Sequence, residues 1–483
     1  MRHFLLLAAL FTATPALAEP ASRDLYVGLN LVDPQRETIT PDSYILVEGG
    51  RIAAVGRGRP AAAQGATVHD FSDLYALPGL IDTHAHVTLG TLSVRMENGA
   101  PLIISNSEDA IVDHNARTLL AFGVTTIRNP GGPIAASRAY MERIASGALT
   151  GPEMVYAGEI IDRAPATIEN LVTLVTPEQS AGEIVDSQAG GGGRYVKLYT
   201  GLSEADLAEG IAAAHRHGMR AIAHLNDVSW TRAAELGIDS LVHMMPTSPD
   251  LLPADKRETY RAERRPAGFQ FFEWYEAADL DSPEIREMIA TLARRRVHLD
   301  ATLIAFQQAF FGDDATLLAR DRDYDHPDMV ANWRSGFRFD MGWQADDYRR
   351  AQAVWPRVLE LTRRLYEAGV PMTIGTDQAN PFITPGISVS REMALHQQAG
   401  IPAWAVLRMA TSEAARLIGV GHRTGALRRG LEADILFIAA DPLPDLNRVA
   451  DVRAVLNNGA LFRPAGLLPA RASTTIPAQG NPQ

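Results

Sequence analysis

The chain has 483 residues, of which 46% are hydrophobic and 21% are charged, so it can bury the core of one large α/β domain or of two to three ordinary domains. Its formal net charge is −12 at pH 7 and no basic stripe occurs, which argues against nucleic acid or an anionic membrane as a partner. The absence of cysteine excludes disulfides, thiolate metal ligands and a cysteine nucleophile, so any metal ion must be held by nitrogen and oxygen ligands.

The first 18 residues, MRHFLLLAALFTATPALA, have the pattern of a secretory signal peptide. A basic start precedes an apolar run, and the small residues Ala16 and Ala18 form a cleavage pattern. The apolar run is too short to span a bilayer, so we expect cleavage after Ala18 and no membrane anchor. The expected mature protein is exported, either to the periplasm or into the medium. The alternative is an uncleaved N-terminus that packs on the core.

Short β-segments with glycine-containing turns are predicted near both ends of the chain. The four segments are 24–33, 43–56, 425–440 and 452–462. The second is a hairpin, because the pair Gly49-Gly50 suits the positive φ values of a tight turn. We therefore predict one small β-domain built from both termini, with the central region as a single insertion.

The central region alternates apolar, strand-like runs with amphipathic helical stretches. The runs are residues 77–87, 124–130, 153–158, 195–200, 220–225, 240–245, 297–303 and 371–377. Eight strands alternating with helices favour a parallel (β/α)8 TIM-like barrel within an α/β fold. A doubly wound open sheet is the runner-up, but no G-x-G-x-x-G pattern follows the first run.

The predicted domain limits follow from these elements. Residues 1–18 are the signal peptide, residues 19–76 and 420–470 form the β-domain, and residues 77–419 form the barrel. Residues 471–483 are a C-terminal tail.

Two stretches, 246–282 and 304–350, are too long to be simple connections between a strand and a helix. Both follow predicted strands, so they would lie at the C-terminal face of a barrel, where active sites form. Their aromatic residues would make an apolar-walled pocket, or would instead cover the barrel helices or form a subunit interface. The aromatic residues are Phe269, Phe271, Phe272, Trp274 and Tyr275 in the first stretch, and Phe306, Phe310, Phe311, Trp333, Phe337, Phe339 and Trp343 in the second.

Candidate metal ligands stand at the ends of predicted strands. His84 and His86 are two residues apart after the first strand, and residues i and i+2 of a strand point to the same face. Neutral imidazole is a common metal ligand, so this pair suits a divalent ion. Further candidates are Lys197, His224, His243 and Asp377. Because a barrel brings the C-terminal ends of its strands around one mouth, we expect all these side chains to converge.

The segments PGLIDTHAHV, VKLYT, AHLN, LVHMM and GTDQAN together resemble the metal-dependent amidohydrolase superfamily. Within it the chain is most similar to the imidazolonepropionase/prolidase-like group of amidases and dipeptidases, over residues 24–462. The resemblance implies a TIM-like barrel and a composite β-sandwich formed by the terminal β-segments. It also implies a metal-dependent hydrolase that acts on C–N bonds.

The resemblance further implies a binuclear metal centre. His84, His86 and Asp377 would hold the more buried ion, and His224 and His243 would hold the second. Zinc is the expected metal for nitrogen and oxygen ligands of this kind, although other divalent ions would fit.

The resemblance implies one further role, and the physics of such a site suggests two more. Lys197 would bridge the two ions as a carbamate formed with CO₂, because an unmodified ammonium cannot ligate a cation. Asp377 would take a proton from the attacking water and pass it to the leaving nitrogen. Tyr199, two residues beyond Lys197 on the same strand face, would donate a hydrogen bond to the developing oxyanion, or would simply pack.

The predicted function is hydrolysis of an amide or peptide-like C–N bond by water that the two ions activate. The expected partner is a small hydrophobic or aromatic substrate of the N-acyl amino acid or dipeptide type. Arg128, Arg334 and Arg338 are candidate partners for its carboxylate. The alternatives are a lactone, carbamate or cyclic-amidine hydrolase with the same site, or a catalytically silent binding or assembly protein. A homo-oligomer is compatible with the sequence.

Overall fold

The computed structural model describes residues 22–60, 63–97, 100–164, 168–263, 271–335, 338, 340 and 342–468. The predicted signal peptide (1–18) and C-terminal tail (471–483) lie outside the described residues, so both stay predictions. Within the described part of the chain, no helix is both long and apolar enough to cross a membrane.

The strands, in chain order, are β1 (Arg23–Asp33), β2 (Thr38–Glu48), β3 (Arg51–Arg57), β4 (Thr67–Asp70), β5 (Tyr75–Pro78), β6 (Leu80–Asp82), β7 (Leu92–Glu97), β8 (Ala100–Ser105), β9 (Val124–Asn129), β10 (Glu153–Tyr156), β11 (Ile160–Asp162), β12 (Ile168–Glu169), β13 (Val172–Leu174), β14 (Tyr195–Leu198), β15 (Arg220–Ala223), β16 (Ser240–Val242), β17 (His298–Asp300), β18 (Met372–Thr373), β19 (Ile435–Ile438), β20 (Val452–Asn457) and β21 (Ala460–Phe462).

The α-helices, in chain order, are α1 (Asp109–Ala121), α2 (Ile134–Ala145), α3 (Ala181–Gln188), α4 (Glu204–Arg216), α5 (Trp230–Leu236), α6 (Arg257–Glu263), α7 (Phe271–Ala277), α8 (Pro283–Arg295), α9 (Leu303–Phe310), α10 (Ala315–Ala319), α11 (Pro327–Ser335), α12 (Ala345–Glu367), α13 (Ile387–Gln398), α14 (Ala403–Met409), α15 (Ser412–Leu417) and α16 (Pro464–Leu467).

Strands from both ends of the chain share one sheet. Its order is β21-β20-β19-β5-β1-β2-β3, and β4 pairs with β1. The predicted N-terminal strand and hairpin are confirmed as β1 and as β2 with β3. The strand predicted over 425–440 is limited to Ile435–Ile438, because Gly425 and Gly430 adopt φ values of 93° and 88° and turn the chain. The composite β-sandwich and the domain limits stay predictions.

Each of the eight predicted central runs contains one parallel strand, namely β6, β9, β10, β14, β15, β16, β17 and β18. Among the described residues these strands pair in two sheets, in the orders β10-β9-β6 and β14-β15-β16-β17-β18, and β11 and β13 extend the second beyond β14. Isolated parallel bridges join Ala157 to Tyr195 and Ala85 to Gln378, so strands of one sheet touch strands of the other. The predicted α/β class is confirmed.

The main apolar core lies between these parallel strands and the helices that cover them. Strand side chains such as Val196, Ala221 and Leu299 belong to the same buried cluster as Leu207 of α4 and Leu361 of α12. Burial of apolar surface is the dominant favourable contribution to folding, and this shared cluster holds the strands against the helices.

The hairpin of β7 and β8 was not predicted from the sequence. It pairs with β12 through β8 and is fixed to α11 by the side chain of Asn332. Nδ2 of Asn332 donates to the carbonyl of Leu92 at 2.7 Å, and Oδ1 accepts from the amide of Leu92 at 3.0 Å. The base of the hairpin is thereby held against the second aromatic stretch.

Candidate metal centre and pocket

Six polar side chains meet at the carboxyl ends of the parallel strands. They are His84 and His86 after β6, Lys197 in β14, His224 after β15, His243 after β16 and Asp377 after β18. Each is buried, with at most 7% of the residue exposed, and all six line one pocket. The parallel strands therefore bring together every ligand position that the sequence suggested.

The carboxylate of Asp377 lies among three imidazoles. Its Oδ1 is 3.2 Å from Nε2 of His84 and 3.4 Å from Nε2 of His86, and its Oδ2 is 3.8 Å from Nδ1 of His243. One ligand atom from each of His84, His243 and Asp377 lies within 4.8 Å of the other two. This spacing suits ligands that share a cation.

His224 and Lys197 extend this group on one side. The ring centroid of His224 lies 4.7 Å from that of His243 and 4.8 Å from that of Tyr199. Both ring nitrogens of His224 and Nζ of Lys197 are buried and have no hydrogen-bond partner among the described residues. Buried polar atoms are normally paired, because an unmade hydrogen bond costs free energy. The nitrogen and oxygen donor set, together with these orphaned atoms, fits divalent metal ions.

Burial keeps three of the imidazoles neutral, which is the form that binds metal ions. It lowers the pKa of His224 to about 3, and the charge of Lys197 acts in the same direction. It also lowers the pKa of His86, and it holds the pKa of His243 well below its usual value.

The pKa values of His84 and Lys197 depend on nearby carboxylates as well as on burial. Burial lowers the pKa of His84, but the carboxylates of Asp300 and Asp377 outweigh burial and raise this pKa above its usual value. Burial lowers the pKa of Lys197 to about 7, against the opposing effect of the same two carboxylates. Burial therefore favours the neutral amine form of Lys197.

Asp300 is a functional candidate that the sequence analysis missed. It ends β17, and its Oδ2 accepts a hydrogen bond from Nδ1 of His84 at 2.9 Å and from Nη2 of Arg128 at 3.1 Å. The sequence contained the signal, because Asp300 occupies the same strand-end position as the other candidates. This bond orients the ring of His84 so that its Nε2 faces Asp377.

Other ligands are oriented in the same way. Nδ1 of His86 donates to the carbonyl of Gly131 at 2.8 Å, and Nδ1 of His243 lies 2.8 Å from the hydroxyl of Thr302. The backbone φ angle is 45° at Thr302, 67° at His243 and 65° at Asp377, in a region that residues other than glycine rarely occupy. Such strained conformations concentrate at functional sites.

Asp82 joins the ends of the first and last parallel strands. Its carboxylate accepts hydrogen bonds from the amide of His84 at 3.0 Å and from the hydroxyl of Thr376 at 2.6 Å. The amide of Asp377 in turn donates to the carbonyl of His84 at 2.8 Å. The relative positions of His84 and Asp377 are therefore fixed by the backbone.

Glu392 supports the site from helix α13. Its buried carboxylate accepts hydrogen bonds from the amides of Leu303 and Ile304, at 2.8 Å and 2.6 Å. These amides begin α9, directly after Thr302, and the first amides of a helix have no partner within the helix. Glu392 accepts from them although burial raises its pKa well above the usual value. Glu392 thus fixes the turn that presents Thr302 to His243.

The second aromatic stretch contributes to the pocket. Phe306 of α9 and Trp333 of α11 line it, whereas Phe310 and Phe311 pack against Trp355. Phe337 and Phe339 lie outside the described residues. Phe306 and Trp333 therefore form the predicted aromatic wall of the pocket, whereas Phe310 and Phe311 cover helix α12.

Two described residues of the first aromatic stretch bind the segment that follows β16. The indole of Trp274 donates to the carbonyl of Ser248 at 3.1 Å, and the hydroxyl of Tyr275 donates to the carbonyl of Met244 at 2.8 Å. Phe269 lies outside the described residues, as does the side chain of Phe271.

The three candidate arginines do not line the pocket, as far as its described residues go. Arg128 is fully buried and bound to Asp300, so its proposed contact with a substrate carboxylate was wrong. Arg338 donates two hydrogen bonds to Asp340, and one of them runs from Nε to Oδ1 at 2.7 Å. Arg334 lies on α11 and is exposed.

Comparison with known proteins gives the following matches. The sequence profile of the Amidohydrolase family matches residues 75–461. Adenine deaminase from Chelativorans sp. (strain BNC1) is 36% identical over 83 residues, and this match spans 16% of the chain and only 14% of that relative.

Two solved structures are similar over most of their length. A Xaa-Pro dipeptidase with bound methionine has a TM-score of 0.65 and 19% identity, covering 92% of this chain and 100% of that one. Bottromycin amidohydrolase has a TM-score of 0.67 and 21% identity, covering 92% of this chain and 88% of that one. At these identities the likeness shows the fold.

Proposed function

The chain belongs to the amidohydrolase family, and from this premise we propose that it is a metal-dependent hydrolase that cleaves an amide-type C–N bond in a small molecule. The observation that carries the proposal is the convergence of four histidines, a lysine and an aspartate on one pocket. We also propose that the eight parallel strands form the TIM-like (β/α)8 barrel, with the sheet from both chain ends as part of a composite β-sandwich.

The proposed centre holds two divalent ions, with zinc as the expected metal. His84, His86 and Asp377 would hold the more buried ion, and His224 and His243 would hold the second. Bound ions would lower the pKa of a shared water towards neutrality and polarise the scissile carbonyl.

Lys197 would bridge the two ions as a carbamate. Its burial supports this role, because burial lowers the pKa of the amine to about 7 and the neutral amine is the form that reacts with CO₂. Its Nζ has no hydrogen-bond partner among the described residues, so the added carboxylate would displace no existing bond of that atom.

Asp377 would transfer a proton, and Tyr199 would stabilise the negative charge that develops during hydrolysis. Burial raises the pKa of Asp377, but His84 and His243 outweigh it and hold this pKa well below its usual value, so the carboxylate is ionised. It can then accept a proton from the attacking water and deliver it to the leaving nitrogen. Burial raises the pKa of Tyr199, which keeps its hydroxyl protonated and able to donate to the developing oxyanion.

The test is a hydrolysis screen of N-acyl amines, anilides, N-acyl amino acids and dipeptides with zinc-loaded protein. We expect at least one of these substrates to be cleaved, with activity lost on treatment with a strong chelator and restored by Zn²⁺. His224→Asn should abolish this activity, whereas the matched control His298→Asn should retain it, because His298 begins β17 at the opposite end of the strand. Hydrolysis that survives complete removal of metal would contradict the proposal.

A further inference from the structure

The pocket beside the metal centre has apolar walls. They include Leu92, Ile168, Leu171, Met245, Phe306 and Trp333. Apart from the six proposed ligands, the polar side chains among its described lining residues are Tyr199, Asn332 and Asn380. Lys197 is the one lysine or arginine of this described lining, and the carbamate role would remove its positive charge.

The two asparagines are already engaged in hydrogen bonds. Both side-chain groups of Asn332 bind the backbone of Leu92 in the hairpin, at 2.7 Å and 3.0 Å. Nδ2 of Asn380 donates to the carbonyl of Asp377 at 2.9 Å. The other polar atom of the Asn380 side chain is a carbonyl oxygen, which repels an anion. Each Nδ2 uses one of its two N–H groups in these bonds, and neither side chain carries a positive charge.

Three arginines near this part of the fold are paired with acidic residues of the protein. Nη1 of Arg322 lies 2.9 Å from Asp325, and Nε of Arg338 lies 2.7 Å from Asp340. Arg128 is bound to Asp300 beneath the metal centre. Each guanidinium therefore already has its counter-ion, and none of them belongs to the described lining of the pocket.

We propose, on the basis of the proposed function, that the substrate is uncharged on both sides of the scissile bond. A carboxylate that leaves water needs a cation to compensate the cost of its desolvation, and outside the metal centre the described walls supply none, only the neutral donors of Tyr199, Asn332 and Asn380. Apolar groups, by contrast, gain free energy on burial there, and Phe306 and Trp333 favour aromatic groups. The substrate class is thus N-acyl amines and anilides with apolar substituents, in place of N-acyl amino acids and dipeptides.

Matched substrate pairs test this inference. N-acetylphenethylamine and N-acetylphenylalanine differ only in the carboxylate, and the corresponding N-benzoyl compounds form a second pair. We expect kcat/KM to be about 100-fold or more higher for the neutral member of a pair, which reflects an uncompensated buried charge. Preference for the carboxylate member overturns this inference and leaves the proposed hydrolase intact. No hydrolysis of any compound of the wider screen by zinc-loaded protein overturns the proposed function itself.

A second experiment adds a positive charge to the pocket wall. Ile168 of β12 lines the pocket and is only half-buried, so a longer polar side chain can be accommodated there. Ile168→Arg should reduce the preference for the neutral member about 10-fold, because it supplies the missing cation. The matched control Ile168→Gln has a polar side chain without the charge and should leave the ratio unchanged. Equal shifts in the two variants would show that charge does not set the preference.

Discussion

The carboxylate of Asp300 accepts a hydrogen bond from Nδ1 of His84 at 2.9 Å, in a site where both residues are fully buried. This bond fixes the tautomer of His84 that carries its proton on Nδ1 and turns Nε2 towards Asp377, 3.2 Å away. A carboxylate that holds a ligating histidine in this way also raises the basicity of the ring. The metal centre proposed above therefore depends on a residue that does not contact the ions.

Asp300→Asn should weaken metal binding about 10- to 100-fold, because the amide keeps the shape but loses the negative charge behind His84. Competition with a chromophoric chelator measures the affinity. Asp206→Asn is the matched control, since Asp206 is also a buried carboxylate bound to an arginine, Arg163, at 2.6 Å and 2.7 Å. Equal losses of affinity in the two variants would mean that Asp300 acts only through general stability.

Thr302→Val should also weaken metal binding, by about 10-fold, because it removes the hydroxyl that lies 2.8 Å from Nδ1 of His243. The two side chains are nearly the same size, so packing is conserved. Thr362→Val is the control, as the buried hydroxyl of Thr362 donates to the carbonyl of Val358 within α12. Zinc titration of both proteins is the measurement, and an unchanged affinity in Thr302→Val would refute the orienting role.

Trp333→Leu should raise KM for aromatic substrates roughly 10-fold while changing kcat less, because the indole is a wall of the pocket and not part of the proton-transfer machinery. Trp355→Leu is the control, since Trp355 is also buried but packs against Phe310 and Phe311. It should lower the melting temperature without moving KM. Steady-state kinetics that give the same KM for Trp333→Leu and the wild type would exclude Trp333 from substrate binding.

Asp434 gives a pH-dependent prediction away from the site. Its carboxyl accepts hydrogen bonds from the amide of Asn458 and the hydroxyl of Thr424, and burial raises its pKa from 3.8 to about 6. Between these two values the folded chain keeps a proton that the unfolded chain has lost. The contribution of Asp434 to the free energy of unfolding therefore falls as pH rises through this window and stays constant above it.

Asp434→Asn removes this titration, so the stability of the variant relative to the wild type should improve as pH rises from about 4 to about 6. Urea unfolding of both proteins at several pH values measures the difference. A difference that stays constant with pH would mean that Asp434 titrates alike in the folded and unfolded chains.

The sequence predicted the parallel strands and the strand-end residues because their signals are local. Each of the eight central runs is apolar and bounded by turns, so a polar residue at the end of such a run is readily identified as a candidate functional residue. Asp300 satisfied the same rule and was overlooked, and the dipeptide Asn98-Gly99 between β7 and β8 is a hairpin signal that was also overlooked.

Other features depend on contacts between distant parts of the chain. Glu392 binds the start of α9 although it lies on α13, and no sequence pattern relates a glutamate on one helix to the amides of another. Arg128 was misassigned for the same reason, because its partner Asp300 lies on a different strand. Buried pairs of this kind become visible only when the strands are assembled.

The number of metal ions per chain, in the wild type and in Lys197→Ala, tests the central claim most directly. Elemental analysis of protein loaded with zinc and freed of excess metal should give close to two ions per wild-type chain. Lys197→Ala should hold fewer and lose hydrolysis, because the bridging group is gone, and acetate should partly restore binding. A wild-type protein that hydrolyses its substrate without metal, or a Lys197→Ala variant that keeps two ions and full activity, would contradict the account.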